Sequence, residues 1–260
     1  MKYFARVAYV GTEFRGFQAQ KIGRTVQGEL NAATAALFGC ECNITGCSRT
    51  DSGVHAEDFC LTIEPVAEDA PVIPPAALPR AVLPYLPSDL SLFFACEAPL
   101  GFHPRYDAVG KEYCYRLRDG GYPNPFLAGR VWQVPRRISD KGLEQMQAAT
   151  LHFLGTHDFS AFMCTDSAIK NRVRTIQYLN VAREGDELLL RVCADGFLYN
   201  MVRIITGTLF QIGIGARDVN SVAEAIAAKD RTMAGMTAPP DGLYLHKVFY
   251  PEAIASLLLG

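Results

Sequence analysis

An α+β fold around a mostly antiparallel sheet is what this sequence predicts, and three features predict it. Short alternating segments suited to strands recur in both halves, helical segments fall between groups of strands, and two alternating runs at 174–183 and 187–193 flank a Glu184-Gly185-Asp186 turn. A tight turn joins antiparallel neighbours, whereas parallel neighbours need a long crossover, so paired runs of this kind favour an antiparallel sheet. Strands and helices follow a similar order in the two halves, which reads as a central sheet formed by two similar α/β halves with helices flanking it. The division this suggests is 1–97, 98–250 and a C-terminal tail at 251–260.

Taken in order, residues 2–9 alternate as a strand. Thr25 suits a helix N-cap, because its hydroxyl can accept an otherwise orphaned backbone N–H, and Val26, Leu30, Ala33 and Leu37 follow at helical spacing. A strand at 41–46, a polar turn at 48–53 and a strand at 58–63 display that turn between two buried elements. The Pro-rich stretch 70–87 carries one short helix and reads as a connector, followed by a strand at 90–96. Beyond it come strands at 111–118 and 130–134, a helix at 140–153, the hairpin, helices at 200–211 and 219–228, and a closing strand at 242–250. Gly213-Ile214-Gly215 is only a fragment of a dinucleotide-binding turn and follows a helix, so it reads as helix termination.

The chain has 260 residues, 49% apolar and 20% charged, which suits an ordered globular protein. No apolar run approaches the roughly 18 residues of a bilayer span, and Lys2, Arg6, Glu13 and Arg15 interrupt any signal-like start. The expectation is a cytoplasmic protein without membrane contact, its eight cysteines kept as thiols. Cys40, Cys42 and Cys47 lie near His55, but the C-x-C-x4-C spacing lacks the paired knuckles of structural zinc. They read as packed thiols, with Cys40 and Cys42 on one face of a strand, and no metal is expected.

A net charge of −2 hides a strong asymmetry. Between 57 and 97 seven acids face one base, Arg80, whereas between 101 and 137 seven bases (Arg105, Lys111, Arg116, Arg118, Arg130, Arg136, Arg137) face three acids. Lys170, Arg172 and Arg174 add a further basic run. Such segments supply local positive surface for phosphates, or ordinary solvated charge.

Chemistry concentrates in Cys47-Ser48-Arg49-Thr50-Asp51-Ser52-Gly53-Val54-His55-Ala56, where an acid, a base and hydroxyls share one turn. On local grounds alone this is also an ordinary polar turn, with Asp51 and Ser52 satisfying backbone beside Gly53 and Arg49 a surface charge. The scattered His55, His103, His152, His157 and His246 read as structural, His55 as an organiser of this turn.

Residues 49–56, R-T-D-S-G-V-H-A, resemble the R-T-D-x-G-V-H-A signature of the tRNA pseudouridine synthase A (TruA) family. Further stretches similar to that family follow in its order: F-R-G-F-Q-A-Q at 14–20, T-V-Q-G at 25–28, F-H-P-R at 102–105, K-E-Y-C-Y at 111–115, D-F-S-A-F at 158–162, N-M-V-R at 200–203, and T-A-P-P at 237–240 with G-L-Y-L at 242–245. The resemblance implies a pseudouridine synthase fold and an isomerase acting on tRNA at anticodon stem-loop nucleotides 38 to 40. It also implies a homodimer, and because the implied reaction is redox-neutral, neither a small-molecule cofactor nor a metal is expected. It makes Asp51 the nucleophilic carboxylate, Tyr113 the ring stacking on the target uracil, Arg203 the partner of the aspartate, and Arg49 a holder of the flipped nucleotide and RNA backbone. Val10 and Tyr85 depart from the family, which usually carries Asp and Asn there, and both lie outside the catalytic signature.

The physical logic of this set stands by itself. Isomerisation breaks an N-glycosidic bond, turns the uracil and rejoins it through carbon, so a carboxylate suits the electron-poor ribose centre. A guanidinium beside Asp51 would lower its pKa by roughly one to three units and keep it charged. Lifting the base from its stack costs roughly a few kcal/mol, part of which an aromatic face can replace. Two rivals make different demands: a non-catalytic RNA-binding module or chaperone asks nothing of Asp51, and a small-glycoside hydrolase needs a second acid about 5 to 10 Å away.

Overall fold

The computed structural model describes residues 1–164 and 169–259. Its strands and α-helices run β1 (Tyr3–Tyr9), α1 (Val26–Phe38), β2 (Cys42–Gly46), β3 (His55–Pro65), α2 (Leu78–Val82), β4 (Leu90–Glu97), β5 (Gly110–Asp119), β6 (Trp132–Val134) and α3 (Asp140–Thr150). Then follow β7 (Gly155–Asp158), β8 (Val173–Glu184), β9 (Glu187–Ala194), α4 (Met201–Gly213), α5 (Ser221–Ala228), β10 (Leu243–Phe249) and α6 (Glu252–Leu259). The fold is α+β with mostly antiparallel strand pairing. Two compact units make it up, Met1–Val109 with Tyr244–Gly260, and Gly110–Leu243.

In the first unit the strand order is β4-β1-β3-β10, with β2 also on β3. β1 pairs antiparallel with both β3 and β4, and β10 joins β3 in parallel through Tyr244↔His55 and Leu245↔Ala56. The closing strand, late in sequence, thus packs beside the strand that leaves the polar turn. Phe4, Val7, Phe59, Leu61 and Ile63 are buried, and Val26 and Leu30 of α1 bury one helical stripe. Thr25 caps α1 through a bond from the Gly28 N–H (3.2 Å), and Gly39 ends it.

The second unit orders its strands β5-β9-β8-β7, all antiparallel, with β6 parallel to β5. β8 and β9 form the expected hairpin, closed by Glu184↔Glu187 around Gly185-Asp186. Tyr115, Leu117, Leu188, Leu190, Ile204, Ile205 and Leu209 are buried in this unit. α4 is buried over most of its length, and it ends at Gly213 with Gly215 in the left-handed region, as the sequence indicated.

Three local readings change. Cys40 lies in the turn after α1, outside the strand that begins at Cys42, so the two thiols do not share a strand face. β7 was not legible because Gly-Thr-His-Asp has no apolar alternation, and its pairing with β8, including a Thr156–Thr175 hydroxyl contact of 2.9 Å, makes it a strand. The tail at 251–260 is helical over Glu252–Leu259, with the Ala255 N–H bonded to the Pro251 carbonyl at 2.8 Å; Gly260 lies outside the described residues.

Candidate active site

Residues 48–53 connect β2 to β3, and the segment that follows β1 holds their backbone in place. The Phe17 N–H donates to the Thr50 carbonyl (3.2 Å), and the Phe14 carbonyl accepts from the Gly53 N–H (3.2 Å) and the Ser52 hydroxyl (3.3 Å). Within the turn the Val54 N–H reaches the Asp51 carbonyl at 3.1 Å. Below it, the Tyr9 and Thr50 hydroxyls share a buried hydrogen bond of 2.8 Å. Two glycines permit this backbone-on-backbone contact. A Cβ at Gly11 would sit 2.0 Å from the Val54 carbonyl oxygen, and one at Gly16, whose φ is +81°, 2.5 Å from that of Thr50.

The bracing segment is itself tied down. Gln27 of α1 donates its backbone N–H to the Phe17 carbonyl (2.8 Å) and its side-chain amide to the Ile44 carbonyl (2.9 Å). Phe17 stacks on Phe59 of β3 at 4.3 Å. Arg24 grips Asp89 with two nitrogens (2.6 and 2.8 Å), reaches Glu29 with Nε (2.7 Å), and lies 4.2 Å over the Phe14 ring. The Arg24 guanidinium holds the Asp89 carboxyl below the usual carboxylate range.

This frame leaves Asp51 half-buried, with Arg49 and Ser52 exposed on either side of a buried Thr50. His55, fully buried at the start of β3, accepts the Gly11 N–H on Nδ1 (2.9 Å) and stacks on Tyr244 at 4.5 Å. Accepting that bond requires an unprotonated Nδ1, so the ring braces the turn as a neutral side chain. Beside the turn lies a cleft of about 190 Å³, bordered by Gln18, Ser48, Arg49, His103, Arg105 and Tyr106 among others.

Tyr113 and Arg203 lie in the second unit. Tyr113, on β5, is 6% exposed, and its ring meets Phe197 edge to face at 5.0 Å. Arg203 lies in the first turn of α4, after Asn200 in the left-handed conformation. Its Nε donates to the Ala238 carbonyl (2.7 Å) and its Nη1 to the Asn200 side-chain oxygen (2.8 Å), so two of its three nitrogens are fixed within its own unit. Tyr115, two residues along β5, donates its hydroxyl to the Pro239 carbonyl at 2.8 Å. Burial pushes that phenol up, against the pull of the nearby Arg203.

Sequence reasoning missed the residues that hold these groups: Tyr9, Gly11 and Arg24 around the turn, and Asn200 and Ala238 around Arg203. Gly16, Gln27, Asn200 and Ala238 do stand inside the stretches that resemble the family, and that was the available signal. Among the described residues no group of three or more His, Cys, Asp or Glu could hold a metal, and no helix is long and apolar enough to cross a membrane.

A family model described as tRNA pseudouridine synthase matches residues 149–251. The chain is 40% identical over 239 residues to a tRNA pseudouridine synthase A of Halalkalibacterium halodurans, covering 92% of this chain and 88% of that one. It is 38% identical over 247 residues to one of Geobacter sp. (95% and 97% covered) and 39% over 252 to one of Latilactobacillus sakei (96% and 98%). Identity at this level, over more than nine-tenths of this chain and against several relatives of the same description, makes this chain a member of the tRNA pseudouridine synthase A family.

Proposed function

We propose that this protein isomerises uridine to pseudouridine in the tRNA anticodon stem-loop, at nucleotides 38 to 40, with Asp51 as its nucleophilic carboxylate. The observation that carries the reading is the pinned turn: in a chain of this family, the one carboxylate of the R-T-D-S-G-V-H-A stretch is half-buried on a backbone that cannot readily shift. Preorganisation matters here, because a charge held in place needs no rearrangement when the glycosidic bond weakens.

In the reaction the bond from C1′ to N1 breaks, a bond from C1′ to C5 forms, C5 loses a proton and N1 gains one. Nothing is oxidised or reduced, so the residues supply only charge, position and proton transfer. Asp51 attacks, Arg203 keeps it ionised and oriented, and Tyr113 stacks on the detached uracil. Arg49 holds the flipped nucleotide and its backbone. The bonds that Arg203 donates to Asn200 and Ala238 hold its guanidinium in place, as a fixed partner for a carboxylate requires. The basic segments at 105–118 and 170–174 track phosphates, so affinity falls as salt rises. The protein works in the cytoplasm as a homodimer.

Incubation with unmodified tRNA, followed by chemical-adduct mapping of pseudouridine, tests this directly. Product at 38 to 40 is the expected result. RNA binding without product would favour a non-catalytic RNA-binding module, and release of free uracil would favour a hydrolase.

A further inference from the structure

The cleft beside the catalytic turn has an unusual border. Arg49 and Arg105 are both exposed, and no carboxylate lines the cleft. Arg6 and Arg24 of the same unit are locked to Asp58 and to Asp89 with Glu29, whereas among the described residues neither Arg49 nor Arg105 is in an ion pair. Two guanidiniums left without acids at one small opening favour an anion there.

The turn that carries Arg105 is rigid. His103 Nδ1 accepts the backbone N–H of Arg105 (3.1 Å) and of Tyr106 (3.3 Å), and the Asp107 carboxylate accepts the His103 N–H (2.8 Å). The His103 ring packs on Tyr106 at 4.2 Å, and the Arg105 guanidinium lies 5.9 Å from the same ring. Tyr106 nevertheless stays 75% exposed. An exposed aromatic held in one orientation is a poor surface residue and a good platform, since little side-chain freedom is lost when something stacks on it. Tyr122 and Phe126, which are also exposed, do not border this cleft. At about 190 Å³ the space is below the roughly 300–1,000 Å³ of small-molecule pockets, which suits one sugar-phosphate segment of a longer chain.

We propose that Arg105 and Tyr106 form a clamp for an unpaired nucleotide flanking the target uridine, with Arg105 joining Arg49 on its phosphodiester and the Tyr106 ring stacking on its base. The proposal rests on the reading of the chain as an RNA-modifying enzyme and adds a positioning site outside the residues that meet the uracil. Stacking platforms of this kind tolerate any base, so the clamp selects an unstacked loop rather than a sequence.

The test measures RNA affinity and pseudouridine formation for the wild type and for Tyr106→Ala, Tyr106→Phe, Tyr106→Leu and Arg105→Ala. The probe is an anticodon stem-loop RNA, intact or with single abasic sites next to the target. Tyr106→Ala should raise KM and Kd about ten-fold, Tyr106→Phe should restore them and Tyr106→Leu should not. Arg105→Ala should reduce the slope of log Kd against log salt by about one. One abasic site should weaken the wild type and leave Tyr106→Ala no weaker than before. Wild-type affinity in Tyr106→Ala, or rescue by Tyr106→Leu equal to that by Phe, overturns the clamp. So does a change confined to the monomer–dimer balance, which would make this a contact between copies. If the wild type itself makes no pseudouridine, the functional reading fails, and the affinities and abasic series still decide the clamp.

Discussion

The two units hold their candidate catalytic groups in opposite ways. In the first, Asp51 stands on a turn, and a turn has no ladder of its own, so chain from 11 to 27 is brought in to pin it. In the second, Tyr113 and Arg203 stand on a strand and a helix that already fix their backbones, and the Arg203 guanidinium is held further by the bonds it donates to Asn200 and Ala238. The difference teaches why so much of the resemblance to the family lies away from reactive groups. F-R-G-F-Q-A-Q and T-V-Q-G supply carbonyls, a backbone N–H, a close-packed glycine and a helix cap, and each of these serves the position of Asp51.

The largest effect sharpening this comparison belongs to the second unit, where Arg183 donates two bonds (2.6 and 2.8 Å) to an Asp119 side chain with no exposure. Removing one partner leaves an uncompensated buried charge, so Arg183→Ala should cost about 3–5 kcal/mol in denaturant unfolding. In the first unit Gly11→Ala should act on rate. Its Cβ forces the 51–54 backbone to move, and a displacement near 1 Å costs on the order of a hundred-fold in turnover, measured as single-turnover pseudouridine formation. Wild-type turnover in Gly11→Ala would mean that the segment after β1 does not set the position of the turn.

A smaller effect tests the floor of the turn. Tyr9→Phe deprives the buried Thr50 hydroxyl of its 2.8 Å partner and should lower stability by about 1–3 kcal/mol, read from the unfolding midpoint. The smallest is an acid effect shared by both units. Arg24 holds Asp89 down, and for Asp119 burial pushes upward while Arg183 and the Ile138 N–H pull down further, so both carboxyls sit below the usual aspartate range. Folded values below the unfolded ones mean that these groups stabilise the fold above about pH 4 and that the contribution is lost as pH falls through their folded values. Arg24→Ala should therefore flatten the acid limb of the stability curve, measured by urea unfolding between pH 6 and 3.

Much of this was legible in the sequence. Alternation marked β1 and β10, two segments around Glu184-Gly185-Asp186 marked the β8–β9 hairpin, Thr25 marked the start of α1, and the polar turn was placed between two strands. What was hidden had tertiary causes. β7 exists because β8 offers it partners, and β10 is placed by its parallel pairing with β3, which no local pattern specifies. Of the candidate site, the residue types were readable and the supports were not. Nothing in Tyr9, Gly11 or Arg24 as letters says that they hold a turn forty or more residues further along the chain, or an aspartate 65 residues on.

Asp51 is proposed to carry out the chemistry from a turn built to hold it. Asp51→Asn keeps the size and the turn while removing the charge. Single-turnover assays on unmodified tRNA, with circular dichroism and RNA affinity matched to the wild type, should show pseudouridine formation reduced by at least about a thousand-fold. A folded, RNA-binding Asp51→Asn protein that forms pseudouridine at the wild-type rate would contradict the account.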